Sequence, residues 1–220
     1  MALTVEDRVD VCVDPDRDLH GPCAIRAANG DLLLCHQDAE VHLGGDGYTH
    51  QWRSTDEGRT WSDEQAVADW RDRGHDALFG EYGLTPDGAL VMFVQRRQPR
   101  TDNGGILGAW LSRSDNHGST WIETGPADGG HEHAAMYFRN PFALDGAMYA
   151  GAYGRQGHYL YVSADDGHAW RRRSLMFSAE HPGFETLRAA GPPFYPHVEP
   201  CPDGSLLALA YHTGTNHCYS

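Results

Sequence analysis

The chain contains no lysine. All 17 of its basic residues are arginine, and against 31 Asp and Glu they leave a formal net charge of −14. Without lysine, Schiff-base chemistry and a lysine nucleophile are excluded. An acidic chain without a basic run is also poorly suited to a phosphate backbone. We therefore expect no lysine-dependent catalysis and no nucleic-acid partner.

Long hydrophobic runs and paired cysteines are missing as well. No stretch approaches the roughly 18 apolar residues that cross a bilayer, and residues 1–10, MALTVEDRVD, lack an apolar signal core. The cysteines form no CxxC pair and are odd in number: Cys12, Cys23, Cys35, Cys201 and Cys218. These features predict reduced thiols rather than a disulfide framework, no membrane contact and a cytoplasmic location.

What the chain does contain supports a packed core with many turns. Hydrophobic residues make up 40% of it, with six Trp, ten Tyr and seven Phe, which argues against global disorder. Its 26 glycines and 12 prolines indicate short elements joined by frequent turns.

A hairpin phrase recurs at a constant interval. The segments AANGDLLL, TPDGALVMF, ALDGAMYA and CPDGSLLALA carry glycines that are each 58 residues apart: Gly30, Gly88, Gly146 and Gly204. Asn-Gly or Asp-Gly between two apolar runs predicts a β-hairpin, because the tight turn needs a positive φ. A third strand-like run and a fourth extended segment follow, without helical periodicity. Four short antiparallel strands per repeat predict a β-propeller blade.

A second phrase occurs three times, as STDEGRTW (54–61), SDNHGSTW (114–121) and SADDGHAW (163–170). It falls between the third and fourth strands, where an Asp side chain can accept backbone N–H groups, Gly can supply a positive φ and Trp can pack on the sheet. Asn in the second copy can accept the same bonds. We predict a structural role for the following residues: Ser54, Asp56, Gly58, Trp61, Ser114, Asn116, Gly118, Trp121, Ser163, Asp165, Gly167 and Trp170.

This phrase resembles the Asp box, or bacterial neuraminidase repeat, of the sialidase-like propellers, and the resemblance covers residues 20–220. Asp boxes also occur in propellers that are not sialidases. The resemblance implies an all-β propeller of about six four-stranded antiparallel blades. The chain would supply about 3.5–4 of these after an N-terminal segment, 1–19. We expect blades near 20–75, 76–134 and 135–192, with an incomplete one at 193–220.

The last residues carry a further expectation. HCYS (217–220) resembles YLYVS (159–163), a third strand that arrives at the serine of an Asp box. We therefore expect the sequence to stop inside a fourth box and to be a fragment. Unpaired sheet edges in such a fragment would favour self-association.

Antiparallel connectivity predicts where a site would lie. The Asp-Gly hairpins and the Asp boxes fall on one face, and the strand 2–3 loops and the links between blades fall on the other. Function usually resides in variable loops on a rigid scaffold, and the loops that vary are 38–47, 96–105, 154–157 and 212–216. The candidates on this face are His20, Asp38, Asp46, Glu81, Arg96, Arg97, Arg139, Arg155, Tyr195, His197 and Glu199.

The repeat register makes four positions equivalent: Cys23, Glu81, Arg139 and His197. Either the three ionisable side chains converge near the propeller axis, or Glu81 and Arg139 form an ion pair between blades with no chemical role. Arginines beside carboxylates suit an anionic or hydroxyl-rich ligand, because guanidinium groups bind carboxylates with two hydrogen bonds.

The resemblance to sialidases implies three arginines that hold the substrate carboxylate, an Asp acid/base, and a Tyr nucleophile activated by a Glu. His20 in LHGP stands where the family has its first arginine. Asp46 fits the acid/base, Asp38 is a weaker alternative, and Glu199 is a weak match for the Glu. The Tyr and the remaining arginines would lie beyond Ser220.

The predicted function is therefore an exo-acting, sialidase-like glycoside hydrolase with a carbohydrate ligand. The predicted substrate-binding residues are His20, Glu81, Arg96, Arg97, Arg139, Arg155, Tyr195 and His197. The alternative is a non-catalytic propeller that binds a glycan or a protein, and the histidine in place of the first arginine favours it.

Two other patterns bear on metal or cofactor binding. In GGHEHA (129–134), His131 and His133 flank Glu132 and could share a metal, but a solvated link between blades is favoured because no third ligand is identifiable. GGDGYTH (44–50) is glycine-rich but lacks the Lys-Ser/Thr of a phosphate loop. No metal and no cofactor are predicted.

Overall fold

The computed structural model describes residues 8–42, 44–62, 64–99, 105–127, 137–154, 157–178, 194–212 and 217–219. The first sheet contains β1 (Asp18–Arg26), β2 (Leu32–Ala39), β3 (Tyr48–Ser54) and β4 (Gln65–Ala68). The second contains β5 (Asp76–Leu84), β6 (Leu90–Arg97), β7 (Ile106–Ser114) and β8 (Ile122–Pro126). The third contains β9 (Tyr137–Leu144), β10 (Ala147–Gly154), β11 (Gly157–Ser163) and β12 (Arg171–Phe177). The fourth contains β13 (Phe194–Pro200), β14 (Leu206–His212) and β15 (His217–Tyr219).

The four sheets are the blades of a propeller. Every sheet is antiparallel, with its strands paired in chain order. The first strands β1, β5, β9 and β13 contact one another in succession, which makes them the innermost strands around a common axis. The predicted all-β propeller is confirmed, with three strands in blade 4 within the described residues. One 3₁₀ turn, Arg71–Arg73, joins blades 1 and 2, and no helix in the described ranges could span a bilayer.

The repeated glycines lie at the tips of the first hairpins, as predicted. Their φ angles are 96°, 84°, 77° and 82° for Gly30, Gly88, Gly146 and Gly204, in the left-handed region that glycine adopts without steric cost. Because each blade is antiparallel, these tips and the turns between third and fourth strands share one face of the molecule. We call this the hairpin face, and the opposite one the loop face.

The Asp-box turns are held by the bonds that the sequence predicts. Asp56 Oδ1 accepts the backbone N–H of Thr60 at 2.9 Å, and Ser54 Oγ accepts that of Gly58 at 2.8 Å. The indole of Trp61 donates to the carbonyl of Gly58 at 3.1 Å. In the second copy Asn116 Oδ1 accepts the N–H of Thr120 at 2.9 Å, so the amide does replace the carboxylate.

One feature of the boxes was not predicted. The residue before each box glycine also has a positive φ, of 62° at Glu57, 57° at His117 and 54° at Asp166. In the second and third boxes, a carbonyl group of this left-handed pair accepts a hydrogen bond from an arginine of the preceding blade. Arg53 of blade 1 donates to the carbonyl of His117 at 2.7 Å, and Arg113 of blade 2 donates to that of Asp166.

Aromatic and aliphatic side chains fill the spaces between blades. Phe93 of blade 2 stacks on Phe138 of blade 3 with ring centroids 4.3 Å apart, and Trp170 packs against both rings. Between blades 1 and 2 the buried residues include Leu33 and Leu90. These cores fix the angle between neighbouring blades and therefore the relative positions of the inner strands.

The residues before β1 pack on blade 1. An open cleft of about 250 Å³ is lined by Val9, Asp10, Val11 and Cys12 on one side and by Leu19, Pro22, Leu34 and His36 on the other. Arg17, at the end of this segment, forms an ion pair with Asp38. The segment therefore covers the surface of blade 1 that faces away from blade 2.

Candidate functional site

The inner strands of blades 2 and 3 carry a hydrogen-bonded cluster. The hydroxyl of Tyr137 donates to Glu81 Oε1 at 2.9 Å, and Arg139 Nε lies 3.3 Å from the same oxygen. The ring of Phe79 is 5.6 Å from that of Tyr137, which is in turn 5.6 Å from the ring of Tyr153. We call these five residues the axial cluster. It joins an aromatic surface to a carboxylate and a guanidinium.

Burial decides the charge states within this cluster. It raises the pKa of Tyr137 well above the usual value, the negative charge of Glu81 adds to the shift, and Arg139 opposes it. Tyr137 is therefore a protonated hydrogen-bond donor at neutral pH. The side chain of Arg139 is 35% exposed, so its guanidinium can meet a ligand from solvent while Glu81 holds it in place.

The predicted residue Arg97 is buried beside the cluster. It is only 2% exposed, its Nη1 donates to Gln95 Oε1 at 3.1 Å, and its Nε and Nη2 have no hydrogen-bond partner among the described residues. Burial lowers the pKa of its guanidinium, whereas the nearby Tyr153 and Asp76 raise it. The positive charge of Arg97 thus lies behind the exposed surface of the cluster.

The side chain of the adjacent Arg96 packs on two tryptophan rings and not on the axial cluster. Its Cζ lies 4.6 Å from the ring centroid of Trp110 and 5.8 Å from that of Trp70, in a cation–π arrangement. This contact with the outer part of blade 2 separates Arg96 from the axial cluster.

Asp46 lies in a loop that a buried aspartate holds in shape. Asp76 Oδ2 accepts the backbone N–H of Gly45 at 2.8 Å, and its Oδ1 accepts that of Gly47 at 3.0 Å. Asp46 itself has a φ of 52°, and its Oδ2 is 3.6 Å from Arg71 Nη1. The residues around the adjacent cavity, of about 310 Å³, are Glu40, Asp46, Arg71, His75, Asp76 and Pro99. Asp46 is thus a solvent-accessible carboxylate on the loop face, at the junction of blades 1 and 2.

The weaker alternative, Asp38, occupies a different environment. It is 6% exposed, is paired with Arg17, and lies 3.7 Å from His50 Nε2. These contacts place its carboxylate on the side of blade 1 that the N-terminal segment covers, where a substrate would have to displace Arg17.

His20 lies at the loop-face end of β1. Its ring centroid is 4.1 Å from that of His42 and 5.9 Å from that of Phe79, so it adjoins the axial cluster. Burial lowers the pKa of His20, the charge of His42 lowers it further, and Asp18 opposes both effects. A neutral imidazole therefore stands where the family resemblance implies a guanidinium.

The other register-equivalent positions do not all meet. Glu81 and Arg139 form the ion pair that the sequence offered as one alternative. His197 Nε2 instead lies 2.6 Å from Oε1 of Glu199, which also accepts a bond of 3.0 Å from Asn140. Cys23 pairs with Cys35 in the register of β1 and β2.

Tyr195 lies in β13. Arg155 falls outside the described residues, as do His131, Glu132 and His133.

Several residues of the loop face were not identified from the sequence, among them Tyr137, Asp76 and Phe79. Tyr137 is two positions before Arg139 in one strand, and this spacing places both side chains on the same side. The glycines around Asp46 indicated a shaped loop, although not that Asp76 would hold it. Phe79 gave no signal, because its left-handed φ of 55° arises at an irregularity in the pairing of β5 and β6.

No protein-family model and no curated protein matches this chain. Solved structures do match it. A protein of unknown function from Dyadobacter fermentans has a TM-score of 0.69 at 15% identity, over 92% of this chain and 64% of its own. The NanB sialidase of Streptococcus pneumoniae has a TM-score of 0.68 at 11% identity, over 99% and 52%. The α-L-arabinofuranosidase Arb93A of Fusarium graminearum has 0.60 at 11%, over 92% and 56%.

These similarities show the fold. The architecture is that of the sialidase-like β-propellers, which confirms the resemblance drawn from the Asp boxes. The chain spans between 52 and 64% of the length of these three neighbours.

Proposed function

We propose that the chain forms part of an exo-acting, sialidase-like glycoside hydrolase that removes an acidic sugar from the end of a glycan. The observation that carries this proposal is the axial cluster, in which one carboxylate oxygen of Glu81 binds both Tyr137 and Arg139. Such a pair fixes the direction of a partly exposed guanidinium, and a guanidinium binds a sugar carboxylate with two hydrogen bonds.

The surroundings of Arg139 suit a sugar. The partly exposed rings of Phe79 and Tyr153 flank the buried ring of Tyr137 beside the charge, and aromatic surfaces pack against the apolar faces of sugar rings. The buried charge of Arg97 adds to the positive potential at this position. An acidic sugar would therefore meet both its carboxylate partner and its packing surface on the loop face.

The proposed general acid/base is Asp46. A general acid needs an accessible carboxyl group near the leaving oxygen, and Asp46 is exposed on a loop that Asp76 shapes. The backbone carbonyl of Asp46 accepts a hydrogen bond from Arg17, and its carboxylate lies near Arg71. None of these described contacts involves the axial cluster. Substrate binding would have to draw the loop inward for proton transfer.

The separation of Asp46 from the axial cluster favours a second candidate, a propeller that binds a glycan without cleaving it. In this case the axial cluster would hold the sugar, and Asp46 would serve only the loop. His20 in place of the family's first arginine points in the same direction.

Turnover of fluorogenic sialosides by the full-length protein, compared with a panel of neutral aryl glycosides, tests both candidates. Hydrolysis predicts turnover of the acidic substrates, with Asp46→Asn lowering kcat about 10²- to 10⁴-fold, the usual contribution of general acid–base catalysis. Asp203→Asn, on the hairpin face, should leave the rate unchanged. Saturable binding without turnover would establish the glycan-binding protein, and preferential cleavage of a neutral glycoside would refute the acidic substrate.

A further inference from the structure

Three potential metal ligands meet on the loop face, beside the axial cluster: Asp18, His20 and His42. Asp18 and His20 alternate on β1 and so project to the same side of the strand. His42 reaches them from the β2–β3 loop. One ligand atom from each of the three side chains lies within 4.8 Å of the other two. Small side-chain rotations would bring all three onto one ion.

An unsatisfied oxygen supports a ligand at this position. Asp18 Oδ1 is almost fully screened from solvent, yet it has no hydrogen-bond partner among the described residues. A buried carboxylate oxygen without a partner is unfavourable. A cation between Asp18 and the two imidazoles would give this oxygen a partner without any change in the strand.

The backbone and a neighbouring ring hold the two histidines in place. The pairing of β1 with β2 is irregular between His20 and Cys23, where Gly21 has a φ of 62°. A methyl group on Gly21 would lie 3.0 Å from Phe79 Cδ1, so this bend brings β1 close to the Phe79 ring. Phe79 packs edge-on against both imidazoles, at 5.9 Å from His20 and 6.0 Å from His42.

We propose that Asp18, His20 and His42 bind one divalent transition-metal ion, with zinc as the best fit. Two imidazoles and one carboxylate are a common protein ligand set for zinc and neighbouring metals, whereas calcium and magnesium prefer oxygen ligands throughout. Three protein ligands leave a coordination position for water or a ligand oxygen on the loop face. The proposal does not depend on glycan hydrolysis, because it concerns metal binding alone.

Calorimetric titration of the EDTA-treated full chain with zinc chloride near neutral pH tests it. We expect one zinc per chain, and a Kd raised at least about tenfold by His42→Ala and by His20→Ala, since even outer-shell changes cost 10- to 100-fold. His168→Ala is the matched control, an exposed histidine in the Asp box of blade 3, and should leave the Kd unchanged.

Two further measurements distinguish the loss of a metal-binding side chain from the loss of the folded structure. In EDTA, the variants should keep the circular dichroism spectrum and the unfolding midpoint of the wild type. Asp18→Asn, which keeps the shape of the side chain, should also weaken zinc binding. Cobalt should give visible absorption bands with the wild type and lose them with His42→Ala. Zinc binding that is no weaker in His42→Ala than in His168→Ala, or no stoichiometric binding to the wild type, would overturn the proposal.

Discussion

The hydroxyl of Tyr137 donates a hydrogen bond of 2.9 Å to Glu81, which lies on the inner strand of the preceding blade. Arg139, two residues after Tyr137, lies 3.3 Å from the same oxygen of Glu81. The bond therefore couples the packing of blades 2 and 3 to the position of the Arg139 guanidinium, which we propose to bind the ligand.

Removing this bond should cost a modest part of the stability. Tyr137→Phe keeps the ring and its aromatic contacts but leaves Glu81 with one partner fewer, so we expect a loss of about 1 kcal/mol in the free energy of unfolding. Urea denaturation measures it. Tyr149→Phe, a ring that stacks on Phe142 in the same blade, is the control and should change stability by less than about 0.5 kcal/mol. Equal effects of the two substitutions would contradict the assigned role.

The loop that carries Asp46 should depend on Asp76. Asp76→Ala removes a buried carboxylate and leaves the N–H groups of Gly45 and Gly47 without their acceptor. Hydrogen bonds to charged groups contribute about 1.5–3 kcal/mol each. Because the loop can relax after both bonds are lost, we expect the free energy of unfolding to fall by about 3 kcal/mol, the lower end of the sum. Asp72→Ala, on the exposed 3₁₀ turn nearby, should have almost no effect. A small loss for Asp76→Ala would show that the loop holds its shape without it.

The contact between blades 2 and 3 on the hairpin face should depend on Arg113. This buried arginine binds Asp87 of its own hairpin, Asp115 of its own Asp box, and the carbonyl of Asp166 in the next blade. We expect Arg113→Met to lower the free energy of unfolding by about 2 kcal/mol, since one buried charged donor is lost and its acceptors are largely exposed. Arg171→Met is the control for the loss of one positive charge. Equal falls in the denaturation midpoints of the two variants would exclude a specific contribution of Arg113 to the contact between blades 2 and 3.

The first Asp box should be sensitive to acid. The bond from the Thr60 hydroxyl, with further bonds from the Thr60 N–H and Ser54, lowers the pKa of Asp56 to about 2. The carboxyl in the unfolded chain titrates near 3.9, so between these values the unfolded state binds more protons. The stabilisation is therefore present above about pH 4 and is lost as the pH falls toward about 2.

Melting temperatures between about pH 5 and pH 2 measure this effect. Asp56→Asn copies the second box, where Asn116 does not titrate: its Oδ1 accepts the N–H of Thr120 and its Nδ2 donates to the Thr120 hydroxyl. The melting temperature of the variant should therefore fall less steeply with acid than that of the wild type. Parallel curves would show that Asp56 contributes nothing to the acid sensitivity.

Local turn chemistry made much of the fold predictable from the sequence. The need for a positive φ identifies Gly30 and its three counterparts, and the Asp box specifies its own bonds within eight residues. Both features therefore remain visible without knowledge of the tertiary structure. Their spacing was enough to predict blades, and the structure has the predicted strands.

The site was less predictable because its contacts cross between blades. Tyr137 and Glu81 are 56 residues apart. Their bond depends on the angle between blades 2 and 3, which the packing of Phe93 on Phe138 sets. The register placed Glu81 beside Arg139 correctly, but it could not show that His197 would bind Glu199. The approach of His42 to His20 depends on the course of a loop, which no periodic pattern encodes.

Binding of an acidic monosaccharide, compared with its neutral counterpart, tests the central claim most directly. Ligand-observed NMR titrations of the chain should show binding of a sialic acid α-methyl glycoside. The affinity should fall at least about tenfold in Arg139→Gln, the equivalent of 1.4 kcal/mol, and stay unchanged in Arg171→Gln. Equal affinity for the acidic and the neutral sugar, or undiminished binding by Arg139→Gln, would contradict the assignment of the axial cluster to an acidic glycan.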